Sequence, residues 1–221
     1  GGGPWWNDTE RGVDNYVQSS ATTGQNTGNS MSGVTSSGYT LGTFVGWNTS
    51  AAPYVSWTFR KAPKFFDCVT YTGTGSAKTI SHNLGSVPGM IIVKRTDAIG
   101  DWGVYHRQLN NGTDRGHWRI KLNSTGAQSN QNTFWNDTAP TDSVFTVGTS
   151  TSVNASGGTY VAYVFAHNNS DGTFGPTYDQ DIIKCGSYTG DGTTDGSNVI
   201  DLGWEPQWVM VKVSSTADSW L

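Results

Sequence analysis

The chain has 221 residues, enough for one or two domains with real cores, and its net charge of -4 with a pI near 5.4 argues against nucleic acid or an anionic membrane as partner. It carries 29 Gly, 10 Trp, 9 Tyr and 8 Phe but only 14% charged residues, the composition of an all-β protein: aromatic side chains suit half-buried pleated surfaces, and Gly with Asn and Ser suits turns. No apolar run approaches the roughly 20 residues that span a bilayer as a helix.

In chain order, Trp6-Asn7-Asp8-Thr9 reads as a turn or strand end, and residues 10–38 form a tract rich in Ser, Thr, Asn and Gly. That tract is either a tolerated surface loop or a variable contact loop on a rigid sandwich. Residues 54–59 alternate, with Val55, Trp57 and Phe59 on a core face and Tyr54, Ser56 and Thr58 opposite. Arg60-Lys61-Ala62-Pro63-Lys64 is then a connector at a domain boundary. Residues 69–71 and 78–80 read as a short hairpin around Thr72-Gly73-Thr74-Gly75. A turn at 85–89 launches a strand at 90–95 with Ile91 and Val93 inward, and strands follow at 102–107 and 118–122. The latter points Trp118, Ile120 and Leu122 inward and His117, Arg119 and Lys121 outward. Strands at 143–147 and 160–166 complete the unit, the last with Val161, Tyr163 and Phe165 on a face buried on one side only. Seven or so short strands without helical periodicity predict a β-sandwich, jelly-roll or lectin-like in arrangement.

The pattern repeats. Cys68-Val69-Thr70-Tyr71-Thr72-Gly73 returns as Cys185-Gly186-Ser187-Tyr188-Thr189-Gly190, 117 residues later. Leu84 to Lys94 returns as Leu202 to Lys212 at an offset of 118, which also carries Trp102 onto Trp220. Residues 148–165 are anticipated by 42–59 at a constant offset of 106, and Trp135-Asn136-Asp137-Thr138 echoes Trp6 to Thr9. A period of roughly 110–120 residues is the size of a small domain, so the expected architecture is a tandem array of antiparallel β-sandwich repeats. Residues 1–66 would be the C-terminal part of a first repeat with an inserted loop at about 10–38, residues 67–184 a complete central repeat able to fold alone, and residues 185–221 the N-terminal part of a third. The partial copies together lack counterparts of residues 105–134, so the expectation is a segment of a longer polypeptide. Cys68 and Cys185 hold equivalent positions and are expected to lie apart, unbridged.

Chemistry is sparse. His82, His106, His117 and His167 form no motif with a nucleophile or a second metal ligand, and no G-x-S-x-G, H-E-x-x-H or P-loop is present. The chain therefore reads as a non-enzyme with no catalytic residues, although loop carboxylates leave a glycosidase pair open. Asp171, Asp179 and Asp181 in the connector at 168–181 are the oxygen ligands Ca²⁺ would take, in a spacing that fits no established calcium loop; no other cofactor is expected. Six of the 13 basic residues (Lys94, Arg95, Arg107, Arg115, Arg119, Lys121) fall between positions 94 and 121. Trp102, Tyr105, His106, Arg107, Arg119 and Lys121 are the candidate ligand site, able to hold an acidic glycan by charge-assisted hydrogen bonds and stacking. The alternative is a solvated sheet face balanced by Asp97, Asp101 and Asp114.

The succession Phe65-Phe66-Asp67-Cys68, Ile80-Ser81-His82-Asn83-Leu84, Pro88-Gly89-Met90-Ile91-Ile92-Val93-Lys94, Trp102-Gly103-Val104-Tyr105-His106-Arg107, Trp135 to Pro140 and Val153 to Tyr163 resembles repeats of tail-associated and fibre proteins of marine and cyanobacterial bacteriophages. The resemblance covers residues 65–167, with both flanks as partial copies. It implies a virion tail appendage, a host-recognition fibre or adhesin, that assembles as a homo-oligomer with other virion tail proteins and meets a host-surface glycan or protein receptor. It implies no catalytic or binding residue. The alternatives are a carbohydrate-binding module of a bacterial surface or secreted protein and a virion polysaccharide depolymerase.

Overall fold

The computed structural model describes residues 3–220. Three short strands, β1 (Trp5–Asn7), β2 (Asn15–Gln18) and β3 (Asn26–Thr27), form a small sheet in that order. β4 (Met31–Val34) pairs with β5 (Tyr39–Leu41), and a single helical turn, α1 (Val45–Asn48), follows. Then come β6 (Phe66–Thr72), β7 (Lys78–Ser81), β8 (Met90–Arg95), β9 (Gly103–His106), β10 (Trp118–Lys121) and β11 (Ser129–Asn130). A 3₁₀ turn (Leu109–Gly112) separates β9 from β10, and the turn α2 (Asn132–Trp135), β12 (Val144–Val147), the turn α3 (Thr151–Asn154) and β13 (Thr159–Phe165) complete the elements. One six-stranded sheet runs β11-β10-β9-β8-β13-β6, while β12 pairs with β7, and every pairing of strands is antiparallel. The fold is all-β, and helix is confined to single turns.

β13 is the axis of the large sheet, in register with β6 through Tyr160↔Tyr71 and Phe165↔Phe66 and with β8 through Tyr163↔Ile92. Its alternation serves two cores. Tyr160, Ala162 and Val164 join Ile91 and Val93 of β8, Ile80 of β7, Phe145 and Val147 of β12, Phe134 and Trp135 of α2 and Val153 of α3. Val161, Tyr163 and Phe165 face the opposite way, with Ile92, Val104, Ile120, Trp102 and Val17. The expected one-sided burial is thus corrected: small or apolar residues at Ala162 and Val164 let a second layer close on the face opposite Tyr163. The predicted hairpin at 69–80 is corrected too. β6 and β7 do not pair with each other; the chain crosses at Gly73 from the large sheet to the β7–β12 ladder.

The N-terminal tract is the lid of the second core. Trp6 lies 5.2 Å from Trp102 and 5.0 Å from Tyr163, edge to face. The Tyr163 hydroxyl donates to Asp8 (2.8 Å) and accepts from Arg11 (3.3 Å), while Arg11 Nε holds Asp8 at 2.6 Å with both charged side chains under a tenth exposed. The backbone of residues 18–25 caps the same region. The Trp102 indole N–H points at the carbonyls of Gln18 and Ala21 (3.1 Å each), Lys94 Nζ donates to Thr22 (2.9 Å) and Gly100 (2.8 Å), and Gln25 N–H donates to the Thr96 carbonyl (2.7 Å).

Residues 42–59 and 148–165 share local structure as well as sequence. α1 and α3 occupy the same place at the offset of 106. Asn48 Nδ2 donates to the Gly42 carbonyl (3.0 Å) as Asn154 Nδ2 donates to that of Gly148 (2.6 Å). The Tyr54 hydroxyl reaches the Val45 carbonyl (3.3 Å) and accepts from Thr49 N–H (3.2 Å), as the Tyr160 hydroxyl reaches Thr151 (2.8 Å) and accepts from Ala155 (2.7 Å). A Cβ at Gly42 or Gly148 would run into the backbone of Asn29 or Thr133, so both positions demand glycine for close approach. Beyond the tyrosine the copies part. Residues 54–59, expected as a strand with a core face, have no ladder partner and leave Val55 84% and Trp57 68% exposed. Their counterpart β13 is a central strand that needs a neighbour on each side, and residues 54–59 have neither. Residues 186–211 likewise form no strand, with Trp208, Val209 and Val199 exposed. Cys68 and Cys185 are both free and buried.

Candidate functional site

The six residues of the sequence-derived basic and aromatic patch are dispersed by the fold. Trp102 is wholly buried, its ring covered by Trp6 and by Lys94 Nζ at 5.9 Å from the centroid. Tyr105, 1% exposed, lies in the opposite core beside Trp135, and burial pushes its phenol up to about 12. Neither ring offers a face to a ligand. Arg119 lies over the Phe134 ring at 4.5 Å and donates to Gln131 Oε1 (2.7 Å). Lys121 is bridged to Asp101 at 2.6 Å. Of the other cations in the run, Arg95 grips Asp97 through two 2.9 Å bonds, and Lys94 is buried on carbonyls, where desolvation brings its ammonium down to about 8.

His106 and Arg107 remain together, joined by Arg115 and by His167. The register explains why. β8 begins at Met90 opposite both His106 and Phe165, so the end of β9 and the residues just past β13 meet at one end of the sheet. Gly89 is the hub: its N–H donates to Phe165 O (2.9 Å), its carbonyl accepts from Arg107 N–H (2.9 Å), and a Cβ there would meet Cys185 Sγ and the His167 Cβ. His106 Nδ1 accepts from Gln108 N–H (3.2 Å) and His167 Nδ1 from Cys185 N–H (3.1 Å), which leaves each ring its Nε2 as the proton-bearing nitrogen. Burial, then the mutual influence of His167 and Arg107, brings His106 down to about 4; burial, then Arg107 and Lys184, does the same to His167. Both imidazoles are neutral near pH 7. Arg107 is itself lowered, by desolvation and then by Arg115. Among the described residues neither Arg107 nor Arg115 forms a salt bridge, and Arg107 Nε is buried with no hydrogen-bond partner. Asp171 acts on Arg107 and His167 through space but forms no salt bridge with either, so two cations beside two neutral N–H donors suit a carboxylate, sulfate or phosphate. His167 is the member that sequence spacing missed; the strand register at Met90 is the signal that brings it beside His106.

The aspartates suggested for Ca²⁺ serve turns. Asp181 accepts from Ser170 and Gly172 N–H (2.8 Å each), Asp171 from Asn169 N–H (2.8 Å), and Asp179 from the Thr177 hydroxyl. Among the described residues no three His, Cys, Asp or Glu side chains are grouped as a metal site requires. No described helix is long and apolar enough to cross a membrane.

No curated protein and no solved structure matches the chain. The model of one family, a domain of unknown function (DUF7483), matches residues 5–221, and the chain belongs to that family.

Proposed function

We propose that this chain is a structural and adhesive repeat segment of a phage virion appendage, a tail fibre or tail-associated protein, displayed outside the cell and facing an acidic host-surface glycan. The observation that carries the repeat reading is the module shared by residues 42–59 and 148–165, identical in helical turn, Asn-to-Gly bond and Tyr-to-carbonyl bond. Duplication of a whole packing unit is the way extended, load-bearing proteins gain length. The adhesive part rests on Arg107, Arg115, His106 and His167 at the sheet end, where cations that form no salt bridge among the described residues favour an anionic sugar substituent. On this reading the tandem sandwich arrangement extends beyond the central unit. A carbohydrate-binding module of a bacterial surface or secreted protein is the second reading, favoured by the same anion-suited cluster.

The test is binding of the purified chain to acidic and neutral polysaccharides, with Arg107→Ala/Arg115→Ala beside it. Loss of two charge-assisted contacts predicts affinity for the acidic polymer about 10- to 100-fold weaker, with a shallower salt dependence. Equal binding by the double variant would overturn the site. Antibody labelling of whole virions separates the two readings: signal on the tail supports the appendage, and its absence from virions overturns it.

A further inference from the structure

We propose that residues 54–59 are the central strand of a second sheet, completed by residues 186–189 and 208–213 of another copy of this chain, so that molecules join head to tail. The inference rests on the internal repeat and is independent of any glycan. The turn before residues 54–59 is already built as in the paired copy, with Tyr54 on Val45 and Asn48 on Gly42, yet the strand itself is unpartnered and exposes Trp57 and Val55. At the other end of the chain, Trp208, Val209 and Tyr188 are exposed in a stretch that forms no ladder.

The repeat offsets convert the observed sheet into a defined interface. Shifting β13 back by 106 and β6 forward by 117 turns Tyr160↔Tyr71 into Tyr54↔Tyr188. Shifting β8 forward by 118 turns Val164↔Ile91 into Thr58↔Val209 and Phe165↔Met90 into Phe59↔Trp208. Side-chain bonds transfer as well. Tyr71 OH donates to Val153 O (2.7 Å) and Thr74 N–H to Asn154 Oδ1 (2.8 Å), so Tyr188 would donate to Trp47 O and Asp191 N–H to Asn48 Oδ1 of the neighbouring molecule.

Charge favours the same pairing. Residues 39–64 hold Arg60, Lys61 and Lys64 and no acid, whereas residues 184–213 hold Asp191, Asp195, Asp201 and Glu205 against Lys184 and Lys212, a net negative segment. Lys61 is shared with Glu10 and Asp67 and Lys64 Nζ donates to the Asp171 carbonyl (2.8 Å), leaving Arg60 for the partner. For residues 208–213, pairing within one molecule is opposed by the anchors. Phe59 packs on Phe66 and Phe165 at the β6 edge, while Lys212, Ser214 and Trp220 are tied to Thr125, Gln128 and Lys121 beside β10. β6 and β10 stand four places apart in the sheet, about 19 Å at the usual strand spacing.

Sedimentation across a concentration series, with disulfide trapping, tests this on the full chain. Species at multiples of 23.7 kDa should grow with concentration, and Trp57→Lys, at an exposed site, should weaken association about tenfold or more while circular dichroism stays unchanged. Thr58→Cys with Val209→Cys places thiols directly across the proposed ladder and should give an oxidised series of dimers and longer chains. Thr58→Cys with Val213→Cys, four residues out of register, should not. A single 23.7 kDa species at every concentration, a disulfide closed within one molecule, or equal trapping in both registers would overturn the proposal. Polysaccharide binding by the monomeric Trp57→Lys variant reports on the adhesive reading separately.

Discussion

Tyr163 is the side chain on which the second core and the N-terminal lid both depend. It packs beneath Trp6 and bonds Asp8 and Arg11, so truncation to Ala removes a ring and takes a hydroxyl partner from a buried ion pair. Tyr163→Ala should cost about 3–5 kcal/mol in a urea titration, and Tyr163→Phe about 1–2 kcal/mol, since only the hydroxyl's bonds are lost. Lys94 offers a pH test. Its folded ammonium titrates near 8 and the unfolded one near 10.5, so between those values the unfolded chain holds the extra proton and this residue's contribution to stability rises with pH. The stability of the native protein relative to Lys94→Met should therefore climb from pH 8 to 10.5 and level off on either side; a flat difference would mean that the ammonium is solvated. Burial of Lys94 was not legible in the sequence. Its position on the Ile92 face follows from alternation, but the carbonyls that receive it come from Thr22, in a tract whose composition says only that it is a loop.

At the scale of elements, most strands of the central unit were legible as short apolar or alternating runs bounded by turn residues; residues 90–95 coincide with β8. Pairing was less legible. Alternation says which residues share a face, not which strand lies beside which, so adjacency of β6 to β13 rather than β7 emerges only when the chain closes. The candidate site suffered similarly. Aromatic residues near a basic run look alike whether they bind sugars or fill cores, and Trp102 and Tyr105 fill cores. The lid formed by β1–β3 carries its own prediction. Residues 66–184 alone keep the first core intact but lose Trp6 and Val17 from the second. That fragment should remain β-rich while melting lower than the full chain and binding a hydrophobic dye, and adding a peptide of residues 3–30 should suppress the dye signal. Equal melting of fragment and full chain would show the lid to be dispensable.

For the molecule as a whole, the offsets of 106, 117 and 118 were legible, and the shared turn geometry of residues 42–59 and 148–165 gives that periodicity a physical form. The order of strands in the large sheet carries a temporal consequence. β8 and β6 are each bonded to β13 and not to each other, and β13 is the last of the six to be synthesised. Phe66 must wait for Phe165 before its ladder can form, so closing the sheet is a late, long-range event with a large loop to close. Until then the nascent chain carries two unfinished strand edges and both half-formed cores, a state open to pairing with a neighbouring chain. Refolding should accordingly be slow, and its rate should respond to substitutions in β13 more than to those in the β7–β12 ladder.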